Sequence, residues 1–180
     1  MRGAGKQLQT ADGRLKRLAA DIDALAEKDE KSLRRAREIA ALRRAAAIEI
    51  HRVCASFVAA LNGLLSRAYL TIAPPDSSES DFQRDAQHLI QIGVRGRILQ
   101  IVFEPTPELL STEDFRVPYI LAGSVRAFNQ DLLDKNAIEE HLLFYTVERE
   151  RNMWRFFDAR THRSGPFDRD YLTFLMERLV

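Results

Sequence analysis

Apolar positions along this chain change their pattern between Ser32 and Ile72. Lys31 to Arg44 is arginine-rich with a thin apolar seam, whereas Val53 to Leu65 is apolar almost all the way round. One helix with both characters is half exposed arm and half buried spine. Upstream, Leu15, Leu18, Ile22 and Leu25 alternate three and four residues apart, an a/d pattern over two heptads. The pattern turns polar at Lys28–Ser32. No Gly or Pro marks a turn there, so continuity is favoured over a hairpin capped at Asp29 or Ser32. The seam resumes as Ala36, Ile39, Arg43, Ala46, Ile50, Val53, Phe57, Ala60 and Leu64, and Pro74-Pro75 is expected to end a helix running to Ile72.

Beyond an acidic, Ser-rich linker expected to be mobile (76–86), the period shortens to two. Strands are expected at His88–Arg95 and Arg97–Glu104 with a turn at Arg95-Gly96, and a third at Val117–Arg126. Pro105-Thr106-Pro107 is read as closing the second. Phe128–Glu140 is expected as a short helix, His141–Arg149 and Asn152–Arg160 as a second hairpin, and Ser164-Gly165-Pro166 as a break. A last helix spans Arg169–Leu179, with Asp168 as N-cap and Phe167 and Leu172 as a hydrophobic staple. The fold class is therefore α+β, in the order α-βββ-α-ββ-α. A long coiled-coil-like helix precedes a five-stranded antiparallel sheet covered by Val53–Leu65, Leu172, Leu175 and Leu179. The expected organisation is a flexible tail (1–13), a basic coiled-coil arm (14–45) and an α+β head (46–180), with 46–72 shared between arm and head.

Over roughly residues 50 to 180 that element order resembles the small secretion chaperones of bacterial type III systems. The resemblance implies a dimeric, non-enzymatic binder of unfolded segments, and no residue motif accompanies it.

Composition narrows the choice. The 180 residues are 46% hydrophobic and 29% charged, enough for a folded core. The net charge of +1 hides an asymmetry: residues 1–72 hold 14 Lys and Arg against 8 Asp and Glu, the remainder 13 against 18. Opposite-signed halves favour self-association or a partner with its own charge pattern. One cysteine excludes an intrachain disulfide, and the polar N-terminus carries no secretory pattern. The longest apolar run, about 13 residues, is short of the roughly 20 a membrane span needs. A cytoplasmic protein is expected, without membrane attachment.

Candidate chemistry is sparse. His51 and Cys54 share a helix face, but a buried thiol beside a boundary histidine explains the pair better than a metal site. Glu104, Glu148, Glu150 and Asp158 lie near strand ends, where carboxylates can hold Mg²⁺ for phosphodiester cleavage, though no lysine accompanies the Glu148–Arg151 run. The expectation is no catalytic residue, no metal, no cofactor and no small-molecule substrate. The partner or oligomer seam is assigned to Ala36, Ile39, Ala46, Ile50, Val53 and Phe57, for a protein partner, a second copy of the chain, or both. Lys31, Arg34, Arg35, Arg37 and Arg44 form a stripe suited to nucleic-acid phosphates. The function expected is a non-enzymatic adaptor or accessory subunit, with nucleic-acid binding, chaperone-like dimeric binding and Mg²⁺-dependent nuclease activity as alternatives.

Overall fold

The computed structural model describes residues 4–128 and 139–180. Helix α1 spans Ala4–Leu64 and is unbroken through Lys28–Ser32; it begins inside the segment expected as a tail. Seven strands follow: β1 Leu70–Ala73, β2 His88–Val94, β3 Arg97–Leu110, β4 Tyr119–Phe128, β5 Glu139–Thr146, β6 Met153–Asp158 and β7 Arg163–Pro166. Helix α2, Arg169–Leu179, ends the chain. Every strand pairs antiparallel with the next, so the sheet is a meander in sequence order. The chain divides into two units between Ala41 and Leu42.

The α+β class holds, but the sheet has seven strands rather than five. The expected order is corrected accordingly, and the order on which the likeness to secretion chaperones rests changes with it. The helix expected at Phe128–Glu140 falls largely on residues 129–138, outside the described residues. Both added strands were hidden by chain-breaking residues. α1 stops at Leu64, not Ile72, because the Asn62 side chain holds the returning chain. Its Oδ1 accepts from the backbone N–H of Tyr69 (3.1 Å) and Leu70 (3.0 Å), and its Nδ2 donates to the Leu70 carbonyl (2.9 Å). Leu70–Ala73 then pairs with β2 as an edge strand. At the opposite edge Arg163–Pro166 pairs with β6, and Pro166 is tolerated there because an edge strand has no second ladder to complete.

The same reasoning explains why β3 runs through Pro105-Thr106-Pro107 to Leu110. Its pairing with β2 ends at His88↔Phe103, so both prolines lie past the end of that ladder. The hairpin turn is at Arg95-Gly96 as expected; both have positive φ (46° and 82°), the combination of a type I′ turn. The 76–86 linker contains a 3-10 turn at Glu79–Asp81, where the Asp81 carboxylate accepts from the Ser78 N–H (2.7 Å) and hydroxyl (2.8 Å).

The sheet buries one face against the second half of α1 and against α2. The buried residues of that face are Ile90, Ile92, Leu99, Ile101, Phe103, Val125, Leu143 and Trp154; those of the helices are Ala46, Ala47, Ile50, Cys54, Phe57 and Val58 on α1 and Leu172, Leu175 and Leu179 on α2. The helical cover thus starts at Ala46, seven residues earlier than expected, and Leu64 remains exposed. The Trp154 indole N–H donates to the Ala46 carbonyl at 2.8 Å. An 18-residue window of α1 reaches a mean hydropathy of 1.2 and is 39% buried; the face from Ala46 to Val58 belongs to the chain's own core. On the other sheet face, Phe115 stacks on Phe144 (4.5 Å) and, with Tyr119 and Phe157, closes a second apolar cluster. That cluster accounts for the apolar residues on both faces of the second hairpin. Replacing Asn62 by Ala should lower stability by about 1–3 kcal/mol, because buried backbone groups lose their partner. Urea unfolding of the two proteins measures it.

Candidate functional site

The first half of α1 carries two of the sequence-predicted surfaces. Leu15, Leu18, Ile22 and Leu25 lie along one stripe and are 65, 55, 56 and 58% exposed, and Leu33 is exposed beside them. The arm is stitched by Asp12–Lys16 (3.0 Å) and Glu27–Lys31 (2.7 Å) ion pairs, both at i,i+4 and both exposed. Such pairs add little stability, and helices in proteins draw most of theirs from packing an apolar face, which this stripe leaves exposed. Lys31, Arg34, Arg35 and Arg37 are exposed, with Lys31 engaged by Glu27, and Arg44 is half-buried.

The predicted seam divides. Ala36 is exposed and Ile39 half-buried, while Ala46, Ile50 and Phe57 are covered by the chain's own sheet and Val53 is half-covered. The first three have no surface left for another molecule while the core stays closed. Arg43, the irregular member of the seam, donates through Nε to the Ile120 carbonyl (3.2 Å) and through its terminal nitrogen to the Thr106 carbonyl. It thereby satisfies carbonyls on β3 and β4.

The other candidates stay apart. Cys54 is fully buried and burial pushes its thiol up to about 12, which suppresses thiolate chemistry. A ring nitrogen of His51 bonds the Pro74 carbonyl at 2.8 Å. Of the carboxylates, Glu104 follows the core-facing Phe103 and so lies on the opposite sheet face from Asp158, which is in phase with Trp154 and Phe156. Glu148 accepts from Thr146 (3.1 Å) and Arg155 (3.0 Å). Glu150 is exposed beyond the end of β5. Among the described residues no three His, Cys, Asp or Glu side chains are grouped to hold a metal ion.

One constellation was not anticipated. On the core face of β5, Glu139 and His141 precede Leu143 and Tyr145, and β6 brings Asp158 alongside. Here the sheet and α2 bound a cleft of roughly 580 Å³. Buried His141 bonds the Tyr171 hydroxyl through Nδ1 (2.8 Å), and its Nε2 lies 3.6 Å from Glu139 Oε1. Burial, with Glu139 and Asp158 nearby, raises the Tyr171 pKa, so the hydroxyl stays protonated. The tautomer with its proton on Nε2 presents that N–H to the Glu139 carboxylate and lets Nδ1 accept from the hydroxyl. Arg178 Nε donates to Glu139 Oε2 at 2.8 Å. This polar chain ties β5 to α2. Asp158 is held by its own turn: Oδ1 accepts from the Arg160 N–H (2.9 Å) and Oδ2 from the Thr161 hydroxyl (2.7 Å), bonds that lower its pKa to about 2. A sequence signal for His141 existed: it occupies the same strand phase as Leu143 and Tyr145, which places an imidazole among core positions.

Desolvation lowers the His141 pKa below its ordinary 6.5 and outweighs the opposing pull of Glu139 and Asp158; Arg160 and Arg178 add smaller contributions in the direction of desolvation. The unfolded chain therefore binds more protons as pH falls through 6.5, and the folded state loses stability there. Asp158, depressed from 3.8 to about 2, adds a second loss as pH falls below 3.8. Urea midpoints measured from pH 8 to 4.5 should fall less steeply in His141→Gln than in wild type; identical slopes would show that His141 does not titrate differently in the folded state. Comparison with protein-family models, curated proteins and solved structures finds no match.

Proposed function

We propose that this chain is a non-enzymatic adaptor or accessory subunit whose N-terminal arm pairs with helices of a second copy or of a partner protein. The head docks protein. The observation that carries this reading is the exposed stripe of Leu15, Leu18, Ile22 and Leu25 at heptad spacing. Burying each such side chain stabilises by about 1.5–3 kcal/mol, so four on each of two helices supply a driving force the lone arm lacks. The half of the expected seam covered by the head plays no part, which moves the pairing surface towards the N-terminus. Wild type should sediment as an oligomer or co-purify with a partner, and Leu18→Glu with Leu25→Glu should reduce it to a folded monomer. A wild-type protein that is monomeric and captures nothing from its source would overturn the reading.

A second reading has its own support in the exposure of Arg34, Arg35 and Arg37. As an accessory protein for nucleic acid, the chain would contact phosphates without reading sequence, because no aromatic residue interleaves the stripe. Wild type should then be retained on DNA or RNA at low salt, and released steeply as salt rises. Reversal of the three arginines to Glu should abolish retention. No retention of wild type at low salt would remove this reading.

A further inference from the structure

The cleft between β5, β6, β7 and α2 has walls that combine an apolar floor with charged groups. Its floor is the Phe156 ring, stacked on Tyr171 at 4.1 Å with planes 5° apart. Gly165, paired with Phe156 across β6 and β7, leaves room for that ring, since an added Cβ would fall 2.8 Å from it. Phe174 forms a half-exposed wall, and 580 Å³ is within the range of sites for small organic ligands.

The charges at its mouth are unequal in availability. Four carboxylates line the cleft, but three are already engaged: Glu139 by Arg178, Asp158 by its own turn, and Asp168 as the N-cap that accepts from the Tyr171 N–H at 3.0 Å. The fourth, Asp170, lies on the exposed side of the first turn of α2. The guanidinium groups are less committed. Arg160 is 68% exposed and reaches Asp158 and Glu139 only at 3.7 and 3.9 Å, beyond hydrogen-bond distance. Arg163 makes no ion pair among the described residues, although it sits opposite Asp158 in the β6–β7 register. The donors left over are cationic N–H groups above an aromatic floor.

We infer that this cleft binds a small organic anion with a flat apolar body, its carboxylate or equivalent group held by Arg160 and Arg163 and its rings lying on Phe156 and against Phe174. The site is separate from the arm, and its failure leaves the adaptor reading standing. It also departs from the sequence-based expectation of no small-molecule ligand.

Three probes that share a naphthalene body and differ in charge decide the matter by calorimetric titration of the full chain: 2-naphthoate, naphthalene-2-carboxamide and 2-naphthylmethylammonium. The anion should bind about tenfold or more tighter than the neutral amide, the difference expected of charge-assisted hydrogen bonds, and the cation most weakly. Arg160→Ala with Arg163→Ala should bring naphthoate down to the amide's affinity, with an unchanged thermal midpoint as the folding control. Phe174→Ala should weaken anion and amide alike. Arg163→Glu, a single exposed change, should move the preference towards the ammonium probe and serves if the double variant fails to fold. No naphthoate binding at millimolar concentration, equal binding of all three probes, or naphthoate affinity indifferent to the arginine changes would each overturn the inference.

Discussion

Everything in the head depends on how closely the second half of α1 can lie on the sheet. Ala46 and Ala47 present almost no side chain at the contact, which lets the Trp154 indole reach the Ala46 carbonyl at 2.8 Å. A carbonyl within a helix already accepts one backbone bond, and the indole uses its remaining lone pair. Trp154 is itself fixed edge-on between Phe103 (5.1 Å) and Tyr145 (5.4 Å), one from β3 and one from β5. One side chain therefore relates the helix to three strands. A larger residue at Ala46 would push the helix off its seat and strand the indole N–H in apolar surroundings.

With α1 seated, the need for a second layer on the far face follows. A seven-stranded meander exposes two faces, and among the described residues helices cover only one. At the β4–β6 end the segment between β3 and β4 supplies the missing cover by folding Phe115 over Phe144 and Phe157. Arg43 ties the first turns of the head's helix to the Ile120 and Thr106 carbonyls in that region. Polar and apolar fastenings thus alternate around the head, and each answers a backbone group or an aromatic face that would otherwise meet water.

Features with a local cause were legible in the sequence. Arg95-Gly96 is a turn because its two residues must adopt positive φ, and Asp168 is an N-cap because its carboxylate reaches the Tyr171 N–H. The heptad stripe of the arm was equally plain. Two edge strands were not, because Pro74-Pro75 and Ser164-Gly165-Pro166 carry the same breaker chemistry in an edge strand as in a loop. The end of α1 depended on an Asn62 side chain bonding residues seven and eight positions later, a contact with no periodic signature. The His141 cluster was hidden for a related reason. Glu139, Asp158 and Tyr171 are spread over 33 positions, and only the pairing register of β5 and β6 and the seating of α2 bring them together. Conversely, the strand-end carboxylates that looked like a set in the sequence are separated by the two faces of the sheet.

Counting charges misleads in this molecule, and counting satisfied hydrogen bonds corrects it. The cleft is lined by four acids and three arginines, which by sign alone suggests a cation site. Each carboxylate oxygen that already accepts a short bond from a fixed donor has less left for a ligand, although only Glu139, bonded by Arg178, has its charge offset by a cation. An arginine has five donors in a planar fork, so one distant carboxylate leaves most of them unused. The balance of unused capacity is positive where the balance of formal charge is negative. On the arm the same accounting separates Lys31, whose ammonium is engaged by Glu27, from Arg34, Arg35 and Arg37, which make no ion pairs among the described residues. What an anion would meet on either surface depends on which guanidinium donors are unused as well as on net charge.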